Sequence, residues 1–166
     1  YHRPAAVATD ALWHYRPFFY PLDSIAEWNR MYGPRGFYQY QCVVPLGGAE
    51  DVLNEMLRRI GKSGLGSFLL VLKTFGTVAS RGLLSFPRPG ATLALDFPNR
   101  GERTLALLEQ LDGLTREVNG AVYPAKDARM SAAAFQQYFP QWRDFSRYVD
   151  PKFTSSFWRR VTGHAK

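Results

Sequence analysis

Three groups of residues carry chemistry by their types and spacing. The first is Lys73, the one charge in the apolar run 67–75 (SFLLVLKTF). A lysine in such a run either stands on an exposed sheet face or meets a polar cavity. Gln39 and Gln41 lie two residues apart in the run 37–45 (FYQYQCVVP), so on a strand they project from one face. Two amides and an ammonium form a hydroxyl-binding surface suited to a sugar or polyol, although glutamine is equally at home on a solvated strand. The second group is the stretch 123–129 (YPAKDAR). Tyr123 and Lys126, three apart at a strand end, can both point into one cleft; the plain alternative is a solvated Lys-Asp-Arg turn. The third is the aromatic and basic C-terminus. Phe135, Phe139, Trp142 and Phe145 are spaced like a buried helical face, and Arg143, Arg147, Lys152, Arg159 and Arg160 would suit a phosphate or a membrane surface. The sequence has no Gly-rich phosphate loop, no HExxH and no serine or cysteine nucleophile motif.

The elements that must position these residues follow from periodicity. Strands are expected over 37–45, 67–75, 91–97 and 121–123, with an extended segment at 83–86. Helical spacing covers 50–60, through Val52, Leu53, Met56, Leu57 and Ile60. It also covers 103–118, through Leu107, Leu111, Leu114 and Val118, with a left-handed stop at Asn119-Gly120. The order β-α-β, loop, β-α-β is the split βαβ, ferredoxin-like plan. It is an α+β fold whose antiparallel sheet carries two helices on one face. Residues 1–36 read as an aromatic, proline-rich arm with one short helix capped by Asp23. Residues 124–166 read as two short helices, near 131–138 and 140–148, then an irregular basic tail, forming a helical C-terminal extension.

Composition sets the outer bounds. With 166 residues, 46% of them hydrophobic, the chain can bury one core. Sixteen arginines and five lysines against 14 acids give a net charge of +7, which favours anionic partners in a scattered rather than a clustered form. No apolar stretch approaches the roughly 18 residues of a membrane span, and no signal peptide is evident. A start at Tyr1 rather than methionine suggests part of a longer chain. Cys42 has no partner for an internal disulfide and reads as a buried, inert thiol. His2, His14 and His164 are too scattered for a zinc site.

Taken together, several motifs resemble one family. They are Pro21-Leu22-Asp23, Trp28-Asn29-Arg30, Gly36-Phe37-Tyr38-Gln39-Tyr40-Gln41, Leu72-Lys73-Thr74-Phe75-Gly76, Leu84-Ser85-Phe86-Pro87, Leu95-Asp96-Phe97-Pro98, the stretch 123–129 and Val149-Asp150-Pro151. In order and spacing they resemble the C-terminal half of FAD-linked oxidases of the vanillyl-alcohol oxidase superfamily. Within it the likeness is to the sugar-oxidising bacterial branch, over about residues 12–160. The resemblance implies a substrate (cap) domain over 37–122, preceded by an incomplete arm, 1–36. It implies that 123–166 returns to a separate FAD-binding domain N-terminal to this segment, and that the isolated chain is inactive. It places Lys126 beside the flavin as the catalytic cation and Tyr123 against the flavin. Gln39, Gln41 and Lys73 line the sugar pocket, with Phe75 as its apolar wall. The implied cofactor is FAD and the implied substrate a small or lipid-linked sugar or polyol. No nucleic acid and no transmembrane segment are expected; contact with a membrane surface and a bacterial cytoplasmic or membrane-peripheral location are compatible. Two competing readings are a non-catalytic cap that docks to another subunit, and a basic sheet that stacks single-stranded nucleic acid on Phe37, Tyr38 and Tyr40.

Overall fold

The structure is a computed structural model that describes residues 12–126 and 129–163. The chain divides into two units, Tyr1–Pro34 and Arg35–Lys166.

In the first unit a short helix, α1 (Tyr15–Phe19), is followed by two 3-10 turns, Pro21–Ser24 and Trp28–Tyr32. The helix expected from an Asp23 cap does not form. Asp23 lies inside the first turn, behind Pro21, whose fixed φ suits the start of a helical turn. Glu27 is left-handed (φ 53°) and breaks the chain there, so the apolar spacing of Ile25, Trp28 and Met31 is spent on two turns.

The second unit is built on β1 (Phe37–Val44), α2 (Ala49–Ser63), β2 (Leu70–Phe75), β3 (Gly90–Pro98), α3 (Glu102–Glu117) and β4 (Ala121–Val122). Its four strands lie in the order β2-β3-β1-β4, with every neighbouring pair antiparallel. This is the split βαβ arrangement expected from the sequence. Acidic Glu50 and Asp51 sit in the first turn of α2, and left-handed Gly64 (φ 67°) ends it. Left-handed Asn119 (φ 57°) stops the chain after α3, as its Asn-Gly pair suggested, and Gly120 donates back to the Thr115 carbonyl at 2.8 Å.

Alternation along the strands divides the sheet into two faces. Tyr40, Cys42 and Val44 of β1 and Leu93, Leu95 and Phe97 of β3 point to one face. There they bury against Met56 and Ile60 of α2 and Leu107, Leu111 and Leu114 of α3. Cys42 lies in this core, its Sγ 4.0 Å from the Met56 sulfur, and burial pushes its thiol up to about 11. Cys42 is therefore expected to stay unlabelled by a thiol reagent at pH 8 until denaturant is added, then to react with a stoichiometry of one. Rapid labelling of the native protein would contradict that packing.

On the exposed side of α2, Arg58 (2.5 Å) and Arg59 (2.8 Å) both donate to Glu55, holding its carboxyl at about 2 rather than 4.5. A depressed carboxyl stabilises the fold above its unfolded value and loses that contribution as pH falls toward the folded one. The urea midpoint of Glu55→Gln should accordingly fall less between pH 5 and pH 2 than that of the parent.

The other face of the sheet is partly roofed by the C-terminal segment. Val43 and Ala121 bury against Phe135, Tyr138 and Phe139 of α4 (Ala132–Tyr138) and its C-terminal boundary. Trp142 of α5 (Trp142–Ser146) and Val161 of α6 (Ser156–Thr162) complete this second core. The anchors Phe135, Phe139 and Trp142 are buried, as their spacing predicted, whereas Phe145 is only half-buried, edge-on to Trp158 (centroids 5.4 Å apart). The tail is not irregular: α6 is capped by Ser155, whose hydroxyl accepts from Trp158, and closed by left-handed Gly163. Two further expectations need correcting. β2 starts at Leu70 because Ser67 uses its hydroxyl instead, accepting from the Asp96 amide at 2.8 Å and donating to the Leu69 carbonyl. The extended segment expected at 83–86 instead opens with a turn, closed by the Ser85 N–H donating to the Gly82 carbonyl. At the head of β3, a Cβ on Gly90 would fall 2.3 Å from the Val44 carbonyl oxygen, so only glycine lets the strands close there.

Candidate functional site

The end of this second face not covered by α4–α6 is a polar floor. Residues directly opposite in an antiparallel pair share a face. The register sets Gln39 opposite Asp96, Ala94 between Gln41 and Val71, and Lys73 opposite Thr92. The Gln39 amide donates to Asp96 Oδ1 at 3.2 Å, and the Gln41 amide to Thr92 Oγ1 at 3.1 Å. Thr92 and Asp96 are buried beneath this layer, whereas Gln39 and Lys73 are exposed. Gln39, Gln41 and Lys73 therefore lie on one surface. Thr92, which the sequence reading missed, ties Gln41 to the row of Lys73. Its position on β3, level with Lys73, is a signal that only the register reveals.

An aromatic row borders this floor. The Phe75 ring meets Phe86 edge-on (centroids 6.0 Å apart), and Phe86 stacks on Tyr123 (4.6 Å, 27°). Such pairs add to area burial and fix ring orientation. Phe75 and Tyr123 are thus joined through Phe86.

Lys126 lies at the β4 edge. The Tyr123 amide donates to the Gln41 carbonyl at 2.8 Å, extending the β4 ladder by one bond, and the chain then turns through a 3-10 turn, Pro124–Lys126. Half-buried Lys126 lines a crevice of about 30 Å³ with Tyr38, Gln39, Tyr40 and Asp112. Tyr123 and Lys126 do not share that crevice, because the Tyr123 ring turns to Phe86. Gln39 is the residue that the crevice and the floor have in common.

Arg129 lines the same crevice and donates to Asp112 Oδ2 (2.9 Å) and to Glu109 Oε2 (3.0 Å) on α3. Burial pushes the Asp112 carboxyl up, and the Arg129 guanidinium pulls against it. The Tyr138 phenol is likewise raised by burial. Tyr40 faces the helices, with its hydroxyl 3.1 Å from Thr115 Oγ1, so it cannot serve as a base-stacking platform. This removes a key aromatic from the nucleic-acid reading.

As a donor set, the floor offers amides and an ammonium, with the buried Thr92 hydroxyl holding Gln41 in place, and a second ammonium, Lys126, lies in the crevice that shares Gln39. Those groups fit a hydroxyl-rich substrate and the polar edge of a flavin ring. Nothing in the chain resembles a glycine-rich cradle for the pyrophosphate of FAD.

No family model matches the chain. Among curated proteins it is 40% identical over 149 residues to the decaprenylphosphoryl-beta-D-ribose oxidase of Mycolicibacterium smegmatis, a match that covers 87% of this chain and 32% of that protein. Over most of its length the chain is therefore similar to about a third of an oxidase's sequence, at 40% identity. It is also 37% identical over 131 residues to a Streptomyces coelicolor protein described only as an uncharacterized protein in the mprA 5' region, covering 76% of this chain and 35% of that one. The chain thus spans about a third of the length of these two proteins. No helix among the described residues is long and apolar enough to cross a membrane.

Proposed function

We propose that this chain is the C-terminal part of an FAD-dependent oxidase that converts an alcohol group of a sugar or polyol, including a lipid-linked one, to a ketone. In this reading residues 37–122 are the substrate-binding cap, and 123–166 pack back onto an FAD-binding domain supplied by a preceding segment. The isolated chain would then hold FAD poorly and turn nothing over. The observation that carries the reading is the polar floor of Gln39, Gln41 and Lys73 over Thr92, with Lys126 in the crevice that shares Gln39, in a chain 40% identical to a ribose-derivative oxidase.

The residues divide the work by their chemistry. Gln39, Gln41 and Lys73 donate to substrate hydroxyls and fix which carbon faces the flavin. Phe75, backed by Phe86, provides an apolar wall that excludes water. FAD, when bound, supplies the two-electron acceptor and takes the hydride at N5. Lys126 holds a positive charge where the flavin ring becomes negative, and Tyr123 packs against the ring.

Substituting the floor tests this reading. In the complete protein, Lys73→Met and Gln41→Leu should each raise the KM for the sugar about tenfold or more, with a smaller change in kcat, because each removes a polar contact to bound substrate. Unchanged KM in both variants would remove the floor from the substrate site.

A further inference from the structure

Lys126 is flanked along the sequence by contacts that have no catalytic function of their own. On its N-terminal side, the Tyr123 amide bonds to the Gln41 carbonyl and the Tyr123 ring stacks on Phe86. The turn is closed by the Lys126 amide, which donates to the Tyr123 carbonyl at 3.2 Å. On its C-terminal side, Arg129 reaches across to α3 with two charge-assisted bonds, to Asp112 and Glu109. Arg116 holds the other oxygen of Glu109 at 3.0 Å, so Glu109 itself is fixed. One residue further on, buried Met130 accepts at its carbonyl from Arg160 of α6 at 3.2 Å.

The Asp112–Arg129 pair is well built for positioning. The Asp112 side chain is only 7% exposed and that of Arg129 22%. An ion pair at that depth adds little net stability, because the desolvation cost offsets the attraction, but its geometry is closely defined. Asp112 also lines the crevice that holds Lys126, and its Oδ1 has no hydrogen-bond partner. The sequence offers no stability-driven reason to place a carboxylate at this point of α3, between core residues Leu111 and Leu114.

We propose that the Asp112–Arg129 pair, steadied by Glu109, is the device that positions Lys126. Arg129, which lines the same crevice, is a positioning residue that acts through Lys126. The inference rests on the catalytic role proposed for Lys126, and the two can fail separately.

The test is a double-mutant comparison in the complete, FAD-loaded protein. Single-turnover flavin reduction is followed at saturating substrate for Arg129→Met, Arg129→Lys, Lys126→Met and the Arg129→Met/Lys126→Met pair. Displacing a reacting group by about an ångström costs on the order of 100-fold. Arg129→Met is therefore expected to slow reduction about 10- to 100-fold while KM stays within about threefold. Arg129→Lys, which keeps the charge but loses the two-pronged geometry, should recover part of the rate. The double variant should be no slower than Lys126→Met alone, because the positioning has nothing left to position.

Equal, multiplicative losses in both backgrounds would overturn the proposal, since Arg129 would then act independently of Lys126. A normal rate in Arg129→Met would also overturn it. If Arg129→Met does not load FAD, Asp112→Asn serves as the second variant, and the same non-additivity with Lys126→Met is required. A normal rate in Lys126→Met would instead defeat the catalytic reading on which the inference stands.

Discussion

Replacing Lys126 by methionine in the complete protein is expected to slow flavin reduction about 100- to 1,000-fold, in the range seen when one preorganised electrostatic donor is removed. The expectation follows from where the side chain sits. Lys126 is half-buried at the sheet margin, next to Gln39 and beside a cluster of fixed charges, rather than free in solvent. A cation held in a fixed, partly desolvated position stabilises developing negative charge more than one free in water. Methionine keeps the length of the stem and removes the charge, so packing losses should be small. FAD occupancy, read from the visible spectrum, should remain near that of the parent, because the contacts to the adenine and pyrophosphate lie outside this chain in the proposed architecture. Stopped-flow reduction under anaerobic conditions separates the two effects. A variant that loses FAD along with activity would make Lys126 a binding residue rather than a catalytic one.

The largest expected effect on stability comes from Phe135→Ala, at about 3–5 kcal/mol. Phe135 is 1% exposed and sits at the centre of the second core. Its ring meets Phe139 at 5.3 Å, Phe157 at 5.5 Å and Trp158 at 6.1 Å. Truncation would leave a cavity bounded by three rigid rings, which relax poorly into the gap. The consequence is specific: α4 and α6 are held against the sheet through this residue, so the loss should also loosen the roof over Val43. Urea unfolding followed by tryptophan fluorescence would show the midpoint shift, and Trp158 is placed to report it. A change below about 1 kcal/mol would mean that the C-terminal helices do not share a core with the sheet.

The pattern of strands and helices was legible because it rests on local periodicity. The stripe Leu107, Leu111 and Leu114 and the alternation in residues 37–44 each specify one face of one element, and four strands with two long helices admit the split βαβ plan directly. The points of failure are those where a side chain replaced a backbone interaction. Ser67 shortens β2 by taking the Asp96 amide on its own hydroxyl, and Glu27 breaks the arm helix by going left-handed. The final helix was hidden because its signal is a Ser155 cap and a Gly163 stop around a single aromatic-basic turn.

For the site, the common face of Gln39 and Gln41 could be read from spacing alone. Thr92 could not, because its link to Gln41 depends on the register between β1 and β3. The Asp112–Arg129 pair was invisible for the same reason: 17 residues and two elements separate its partners.

The most direct test of the central claim is to add a ribose-type or polyol substrate anaerobically to the complete protein and follow its visible absorbance. The account predicts a bound-flavin band that bleaches on addition of the sugar, together with one ketone formed per flavin reduced. A complete protein that purifies without flavin, or whose flavin band is unchanged by every hydroxyl-bearing sugar or polyol offered, would contradict it.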